Sequence, residues 1–363
     1  MLYHLLYPLR EIWFGFNVFK YITFRAAAGA VTAFLISIIL GPYVIKWLYS
    51  LKITQQVREG KEVAKLSDFH RSKKDTATMG GLLILLAIVL STLLWADIFN
   101  KYIILVLFST LWLGIVGMID DAIKVIKKRS SGLKPFVKLQ CQILLGLLIG
   151  AFLYLDPQFS TTLELPFLKK LAIDLGVFYI FFSCLVIIGS SNAVNLTDGL
   201  DGLAIGTMIM IAFTYTAMSY VAGHIKFSSY LNIFYIPGSG ELAVFCAILI
   251  GACLGFLWFN SYPANVFMGD TGSLALGGAI GTVAVFIKKE LLLFLVGGVY
   301  VMEAISVILQ VISFKTRGKR IFLMTPLHHH FQLKGWPDNK ITVRFWIIGL
   351  ICALLSLATL KLR

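Results

Sequence analysis

The sequence predicts an all-α, polytopic integral membrane protein with about ten transmembrane helices and both termini on the non-cytoplasmic side. Three observations carry this. The 363 residues are 58% hydrophobic with a mean hydropathy of +0.86, far above the apolar share of a soluble domain. The apolar residues come in repeated runs of about 20, the length a helix needs to cross a ~30 Å hydrocarbon core. The lysines and arginines lie in the breaks between runs, concentrated on alternate connections.

Between charged or turn-rich breaks the runs lie near 22–48, 79–98, 102–119, 136–155 and 171–191, then near 203–222, 241–259, 271–287, 291–314 and 342–360. Every backbone polar group in lipid must be satisfied within the spanning segment, and these runs do not alternate as barrel strands do, so each reads as a helix. The first connection holds Lys52, Arg58, Lys61, Lys65, Arg71, Lys73 and Lys74, and the third holds Lys124, Lys127, Lys128, Arg129 and Lys134. The ninth holds Lys315, Arg317, Lys319, Arg320, Lys334 and Lys340, whereas the opposite set has only Lys101, Lys169, Lys170, Lys226, Lys288 and Lys289. The positive-inside rule puts the basic set in the cytoplasm, and an even number of spans then leaves both termini outside. Residues 1–363 read as one transmembrane helical domain with cytoplasmic active-site loops.

The net charge of +14 therefore reflects topology, and no nucleic-acid partner is expected. Cys141, Cys184, Cys246, Cys253 and Cys352 sit singly in apolar runs without metal-ligand spacing and read as core residues. The aromatic-rich 1–20 stretch lacks the basic start and small-residue cleavage site of a signal peptide. Asn195-Leu196-Thr197 matches a glycosylation sequon only by accident of its place at a helix edge.

The polar segment Asn192-Ala-Val-Asn195-Leu-Thr-Asp198-Gly199-Leu200-Asp201-Gly202 interrupts this apolar background between two spans. An ionised Asp near a bilayer centre costs about 2.5–3.5 kcal/mol on the mildest scale, which makes intramembrane carboxylates functional candidates. Asp120-Asp121 end the third span on the same face. Adjacent carboxylates suit a hard divalent cation or a shared proton, against the plain reading of a solvated helix end.

The seventh connection, Asn260-Ser-Tyr-Pro-Ala-Asn265-Val-Phe267-Met-Gly269-Asp270-Thr271-Gly-Ser273, pairs an irregular backbone with an Asp before a new helix, where it serves as a cap or faces an anion site. His328-His329-His330 follow in the ninth connection. Neighbouring histidines on a helix point in different directions, so hydrogen bonding to phosphate or sugar suits them better than zinc ligation. Lys73 and Thr78 precede the second span and suit a base or a phosphate, and Lys138 at the start of the fourth suits a lipid phosphate or interfacial snorkelling. Glu303, Ser306 and Gln310 share one helix face toward the bundle interior, as a pair for a basic residue or as a cavity wall.

These clusters fall on odd-numbered connections or the helices abutting them. Acids gathered at one face, with Glu303 the exception, favour an interfacial enzyme over an ion or solute transporter, whose acids would be spread through the membrane depth.

The residues that carry these clusters resemble the polyprenyl-phosphate N-acetylhexosamine-1-phosphate transferases. The likeness covers nearly the whole chain: Thr76-x-Thr78-Met-Gly-Gly81, Asp120-Asp121, Asn192-x-x-Asn195-x-x-Asp198-Gly-x-Asp201-Gly202, 260–273, and Pro326-Leu-His-His-His-Phe-x-Leu-Lys-Gly-Trp336. The histidine string is similar to the branch acting on UDP-MurNAc-pentapeptide and differs from that of the GlcNAc-phosphate branch, which remains the alternative within the class. The resemblance implies a Mg2+-dependent phosphotransferase of the bacterial cytoplasmic (inner) membrane, its active site facing the cytoplasm. In this reaction undecaprenyl phosphate displaces UMP from UDP-MurNAc-pentapeptide, giving lipid I in the first membrane step of peptidoglycan synthesis.

By motif position, the resemblance implies Asp270 as the magnesium ligand, and Asp120 and Asp121 as the pair acting on the lipid phosphate. It implies Lys73, Thr78, Asn195, Asp198, Gly199, Leu200, Asp201 and Phe267 as nucleotide-site lining, and Asn260, Gln310, His328, His329 and His330 as further substrate contacts. Lys138 is implied as a lipid-phosphate partner, and a homodimer is implied by the resemblance alone. Asp75 and Ala77 stand where the family pattern usually has Gly and Pro, which leaves the loop geometry before Thr78 open.

Overall fold

A computed structural model describes residues 1–51, 53, 76–127, 132–165 and 172–361. Ten helices dominate it: α1 Ile22–Ser50, α2 Gly81–Trp95, α3 Lys101–Ile126, α4 Pro135–Leu155 and α5 Phe178–Thr197, followed by α6 Leu203–Ala222, α7 Gly240–Asn260, α8 Gly269–Phe286, α9 Gly298–Arg317 and α10 Asp338–Ala358. Each corresponds to one apolar run. Eight of the described helices are long and apolar enough to cross a membrane, and α2 and α8 are the two that are not among them. Helix α2 has 15 residues and so rises about 22 Å.

Helix α8 is of a different kind. Every residue from Thr271 to Phe286 is buried, so it is a central post that the other helices enclose. Its glycine and alanine content lets backbones meet. A Cβ on Gly117 of α3 would lie 2.2 Å from the Asp270 carbonyl oxygen, and one on Gly81 of α2 would lie 2.2 Å from the Gly272 nitrogen. Gly277 and Gly281 of α8 are equally close to Ser190 of α5, at 2.6 and 2.1 Å. Small residues of this kind permit close helix contact where lipid offers no hydrophobic drive for association. Helices α1 and α7 pair in the same way, with Gly251 set 1.9 Å from the Ala30 carbonyl oxygen by the same measure.

Four boundaries differ from the sequence expectation, each for a local reason. Helix α3 runs to Ile126 rather than ending at the Asp pair, because Lys124 reaches back one turn to neutralise Asp120. The run near 171–191 starts as a strand: β1 Thr162–Glu164 pairs antiparallel with β2 Ala172–Asp174, and α5 begins only at Phe178. The fold is thus mostly helical with one small hairpin. Residues 192–197, expected in a connection, are the last turns of α5, leaving 198–202 as the turn into α6. The ninth run is broken at Gly297, between a short helix Leu293–Val296 and α9.

Pairs of charges fasten the end of the bundle where α1 and α7 start. Arg25 donates two hydrogen bonds to Glu241, at 2.7 and 2.5 Å, and the Asp97 amide donates to the same carboxylate at 3.0 Å. Lys289 bonds Glu164 of the hairpin at 2.5 Å, Tyr179 bonds Glu290, and the Lys288 ammonium lies 3.8 Å from the centre of the Tyr179 ring. The scattered lysines of the opposite connections are therefore partly internal. The amino terminus folds over the same end, where the Met1 amine bonds the Leu93 carbonyl at 2.9 Å.

Substituting Gly117→Val forces a side chain against the Asp270 backbone and should lower stability by about 1–3 kcal/mol, the usual range for overpacking. Gly189→Ala on the exposed side of α5, where a Cβ meets nothing within 4 Å, should be neutral. Thermal unfolding midpoints of the two detergent-purified variants check this, and equal midpoints would refute the backbone-contact account.

Candidate active site

The ends of α3, α5 and α7 meet the starts of α2, α4, α6, α8 and α10 at the other end of the bundle, and the polar motifs converge there. Asp120, Asp121 and Asp270 each offer a carboxylate oxygen within 4.8 Å of the others. All six of their oxygens have partners. Asp121 Oδ2 accepts the Thr271 backbone N–H at 2.9 Å and its hydroxyl at 2.8 Å, so a carboxylate from α3 caps the amino terminus of α8. Its Oδ1 lies 3.4 Å from Lys124 Nζ. Asp120 Oδ1 accepts the Leu133 N–H at 2.8 Å, and its Oδ2 lies 2.6 Å from Lys124 Nζ. Asp270 Oδ1 accepts Asn195 Nδ2 at 2.9 Å, while its Oδ2 lies 2.7 Å from Lys138 Nζ and 3.2 Å from Lys124 Nζ.

Three like charges this close repel strongly unless neutralised. Lys124 touches all three carboxylates and Lys138 touches one. The sequence reading counted Lys124 only as a loop charge. Its spacing from Asp120, four residues along a helix, is the signal that would have placed it, had α3 been extended past the Asp pair. Lys138, expected at a lipid phosphate, is here the counter-ion of Asp270. Ser273 was also missed: its hydroxyl accepts a second hydrogen bond from Asn195 at 2.8 Å.

The turn after α5 brings Asp198, Gly199, Leu200 and Asp201 beside this cluster. Asp198 accepts a backbone hydrogen bond from Gly269, and its carboxyl is pushed up to about 8, first by burial and then by the charges of Asp270, Asp121 and Asp201. Part of the residue still reaches solvent, which moderates the shift. Asp201 Oδ2 accepts the Ala264 N–H at 3.2 Å. The Leu200 side chain is only 4% exposed, packed with Leu203, Val299, Ile341 and Phe345.

Asn260 is a brace between loops. Its Oδ1 accepts the Gly202 N–H at 3.1 Å and its Nδ2 donates to the Val266 carbonyl at 2.8 Å. Phe267 is half-buried, and its backbone pairs with the segment before α2: its N–H donates to Ala77 and its carbonyl accepts from Gly80, both at 2.8 Å. Thr78 lies between those two bonds, held by its N–H on the Ile53 carbonyl at 3.1 Å. Lys73 lies outside the described residues.

The three histidines take different partners, although the rings of His328 and His329 lie against each other with centres 4.2 Å apart. His328 is fully buried, against Glu303 of α9. His329 Nδ1 lies 2.8 Å from Gln332 Oε1, and His330 Nδ1 accepts the Leu323 N–H at 3.1 Å. Gln310 accepts the Ile321 and Phe322 N–H groups and donates to the Phe322 carbonyl, so it shapes the segment after α9. Sequence reasoning expected substrate contact from these side chains; in the structure Gln310, His329 and His330 bond within their own connection and His328 bonds α9.

Comparison with known proteins agrees with the motif pattern. The sequence model of glycosyl transferase family 4 matches residues 103–288, which includes α3 to α8 and hence all three carboxylates. The chain is 55% identical over 365 residues to the phospho-N-acetylmuramoyl-pentapeptide-transferase of Desulfotalea psychrophila, covering 100% of both chains. It is 55% identical over 364 residues to that of Citrifermentans bemidjiense and 51% identical over 366 residues to that of Thermodesulfovibrio yellowstonii, again with 100% of both chains covered. With more than half of its residues shared along its full length, the chain belongs to the phospho-N-acetylmuramoyl-pentapeptide-transferase family, within glycosyl transferase family 4.

Proposed function

We propose that this chain transfers phospho-MurNAc-pentapeptide from UDP-MurNAc-pentapeptide to undecaprenyl phosphate, forming lipid I and UMP. The observation that carries the reading is the triad of carboxylates interleaved with two lysines, at the end of a membrane bundle where a lipid and a water-soluble nucleotide can meet. Ten spans, the basic connections in the cytoplasm and a bacterial inner membrane location complete it. The short α2 and the enclosed α8 are counted as spans because each corresponds to one apolar run of the sequence.

The donor set fits a magnesium ion: three carboxylates, all hard oxygen ligands, converge within 4.8 Å. Asp270 would hold it, with Asp120 and Asp121 beside it to act on the lipid phosphate. When bound, it supplies neutralisation of the diphosphate oxygens and of the charge growing on departing UMP.

The chain's own groups do the rest. A lipid-phosphate oxygen bonds to the sugar-bearing phosphorus as the diphosphate P–O bond to UMP breaks. Lys124 and Lys138 are the ammonium donors nearest those oxygens. A phosphate's second pKa is about 6, so near neutrality the acceptor needs little deprotonation. Asp120 receives whatever proton remains, once Lys124 turns from carboxylate to phosphate. The direct route needs no covalent aspartyl intermediate, and a phosphosugar trapped on the protein would refute it. The 198–202 turn, Thr78 and Phe267 form the nucleotide side, and Lys73 belongs with them by motif position.

The acids argue against a transport path. The three at the site are concentrated at one end, Glu303 joins that end through His328, and Glu241 and Glu290 at the other end are tied into pairs.

Incubating purified protein with UDP-MurNAc-pentapeptide, undecaprenyl phosphate and magnesium should release UMP and yield a lipid-linked sugar. No release, or equal turnover of UDP-GlcNAc, would overturn the assignment. Asp270→Asn should fold normally yet lose more than about 100-fold of turnover at any practical magnesium concentration, in line with loss of a charge that acts on the transition state. Near-normal turnover would remove Asp270 from the metal site.

Asp198 gives a pH signature. Its carboxyl is raised from an ordinary 3.8 to about 8, so the stability it contributes is full below its unfolded value and is lost as pH rises through about 8. In metal-free detergent solution, Asp198→Asn should therefore gain on the wild type in melting temperature between pH 5 and 8, with the gap constant above that. A gap independent of pH would contradict the shift.

A further inference from the structure

Glu303 and His328 are each wholly buried, and neither has a role in the reaction as described so far. One carboxylate oxygen of Glu303 takes two contacts from the same residue, the His328 backbone N–H at 3.2 Å and the ring Nδ1 at 3.2 Å. The backbone contact holds the main chain at the start of the Leu327–Leu333 helix against α9. The ring contact is a hydrogen bond only if Nδ1 carries the proton. In the neutral ring that makes Nε2 the acceptor nitrogen, since the second ring position is set by the bond the first makes.

Nε2 faces no solvent and has no hydrogen-bond partner among the described residues. It lies where a side chain on Gly199 would begin: a Cβ there would be 2.2 Å from Nε2 and 2.8 Å from Cε1. The ring edge is thus the wall behind the turn that carries Asp198 and Asp201. A ring in this position cannot touch a substrate while the turn is in place. It can set where the turn stands.

We propose that Glu303 and His328 form a positioning pair: Glu303 holds the imidazole in its Nδ1–H form, and the ring edge fixes the 198–201 turn for the nucleotide substrate. His328 acts through the turn, whereas His329, its ring centre 4.2 Å from that of His328, bonds Gln332, and His330 bonds Leu323. Gly199 is glycine because the ring fills the space of its missing side chain. The inference rests on the nucleotide-side assignment of that turn.

Steady-state kinetics with each substrate varied in turn test it. His328→Ala and Glu303→Ala should each raise KM for the UDP-sugar about tenfold or more, with KM for the lipid phosphate changed less than twofold. The double variant should be no worse than His328→Ala alone. Glu303→Gln, whose amide oxygen still accepts from Nδ1–H, should return the nucleotide KM to within about threefold of wild type, and nitrogen NMR of labelled histidine should show His328 as the Nδ1–H tautomer in both. Additive losses, or an Nε2–H tautomer in the wild type, would overturn the pair, and the tautomer alone decides the matter if Glu303→Ala does not fold. If His328→Ala leaves the nucleotide KM unchanged, the placing of the turn on the nucleotide side falls as well. If His328→Ala raises it and Glu303→Ala does not, only the part given to Glu303 falls.

Discussion

Charge balance at the carboxylate triad is the constraint on which the rest depends. Three carboxylates within 4.8 Å would drive their helices apart or take up protons if left unpaired in a poorly solvated bundle. Lys124, inserted among all three, makes their proximity tenable, and Lys138 and Asn195 complete the balance at Asp270. The groups come from α3, α4, α5 and α8, so the cluster is also the knot that fastens four helix ends. Any arrangement that brings phosphates to this point must exchange partners within it, since no carboxylate oxygen is idle. The site is stable as a structure for the same reason that it is poised to bind anions: its ammonium groups are already present and can be shared.

Backbone geometry then determines where the loops go. Gly80 and Gly81 donate hydrogen bonds to Phe267 and Met268 at 2.8 and 2.9 Å, and Ala77 forms a parallel bridge with Val266. Asn260 spans the gap from there to Gly202. Two connections far apart in sequence thereby become one surface, and the 198–202 turn is held from three sides by Asn260, by α10 through Trp346 and by His328. Side chains such as Asn260 and Gln310 earn their place by shaping these loops.

Much of this was legible in the sequence, and the part that was not has a physical reason. Apolar runs report which segments leave water, so all ten helices were found. They do not report where a helix ends when its last turn is polar, which is why α3 was stopped at Asp120-Asp121 and Lys124 was left in a loop. Asp120, Asp121 and Asp270 could be picked out as candidates because polar motifs stand out against lipid-facing leucines, and the structure brings the three together. Other roles were less legible: a buried Leu200, a loop-bracing Gln310 and a Glu303 facing His328 depend on which elements are neighbours in space. The hairpin of β1 and β2 was hidden because Ala172-Ile173-Asp174 continues into an apolar helix without a break in composition.

The enclosure of α8 bears on how the molecule is built in the cell. A helix whose every residue from Thr271 to Phe286 is covered by protein gains its apolar burial from neighbouring helices rather than from acyl chains. Its seat is formed by α2, α3 and α5, all of which leave the ribosome before it. Synthesis order therefore supplies the receptor before its occupant. The carboxylate of Asp270 reaches its place only where Lys138, Lys124 and Asn195 are already waiting, so this acid is never asked to insert unaccompanied.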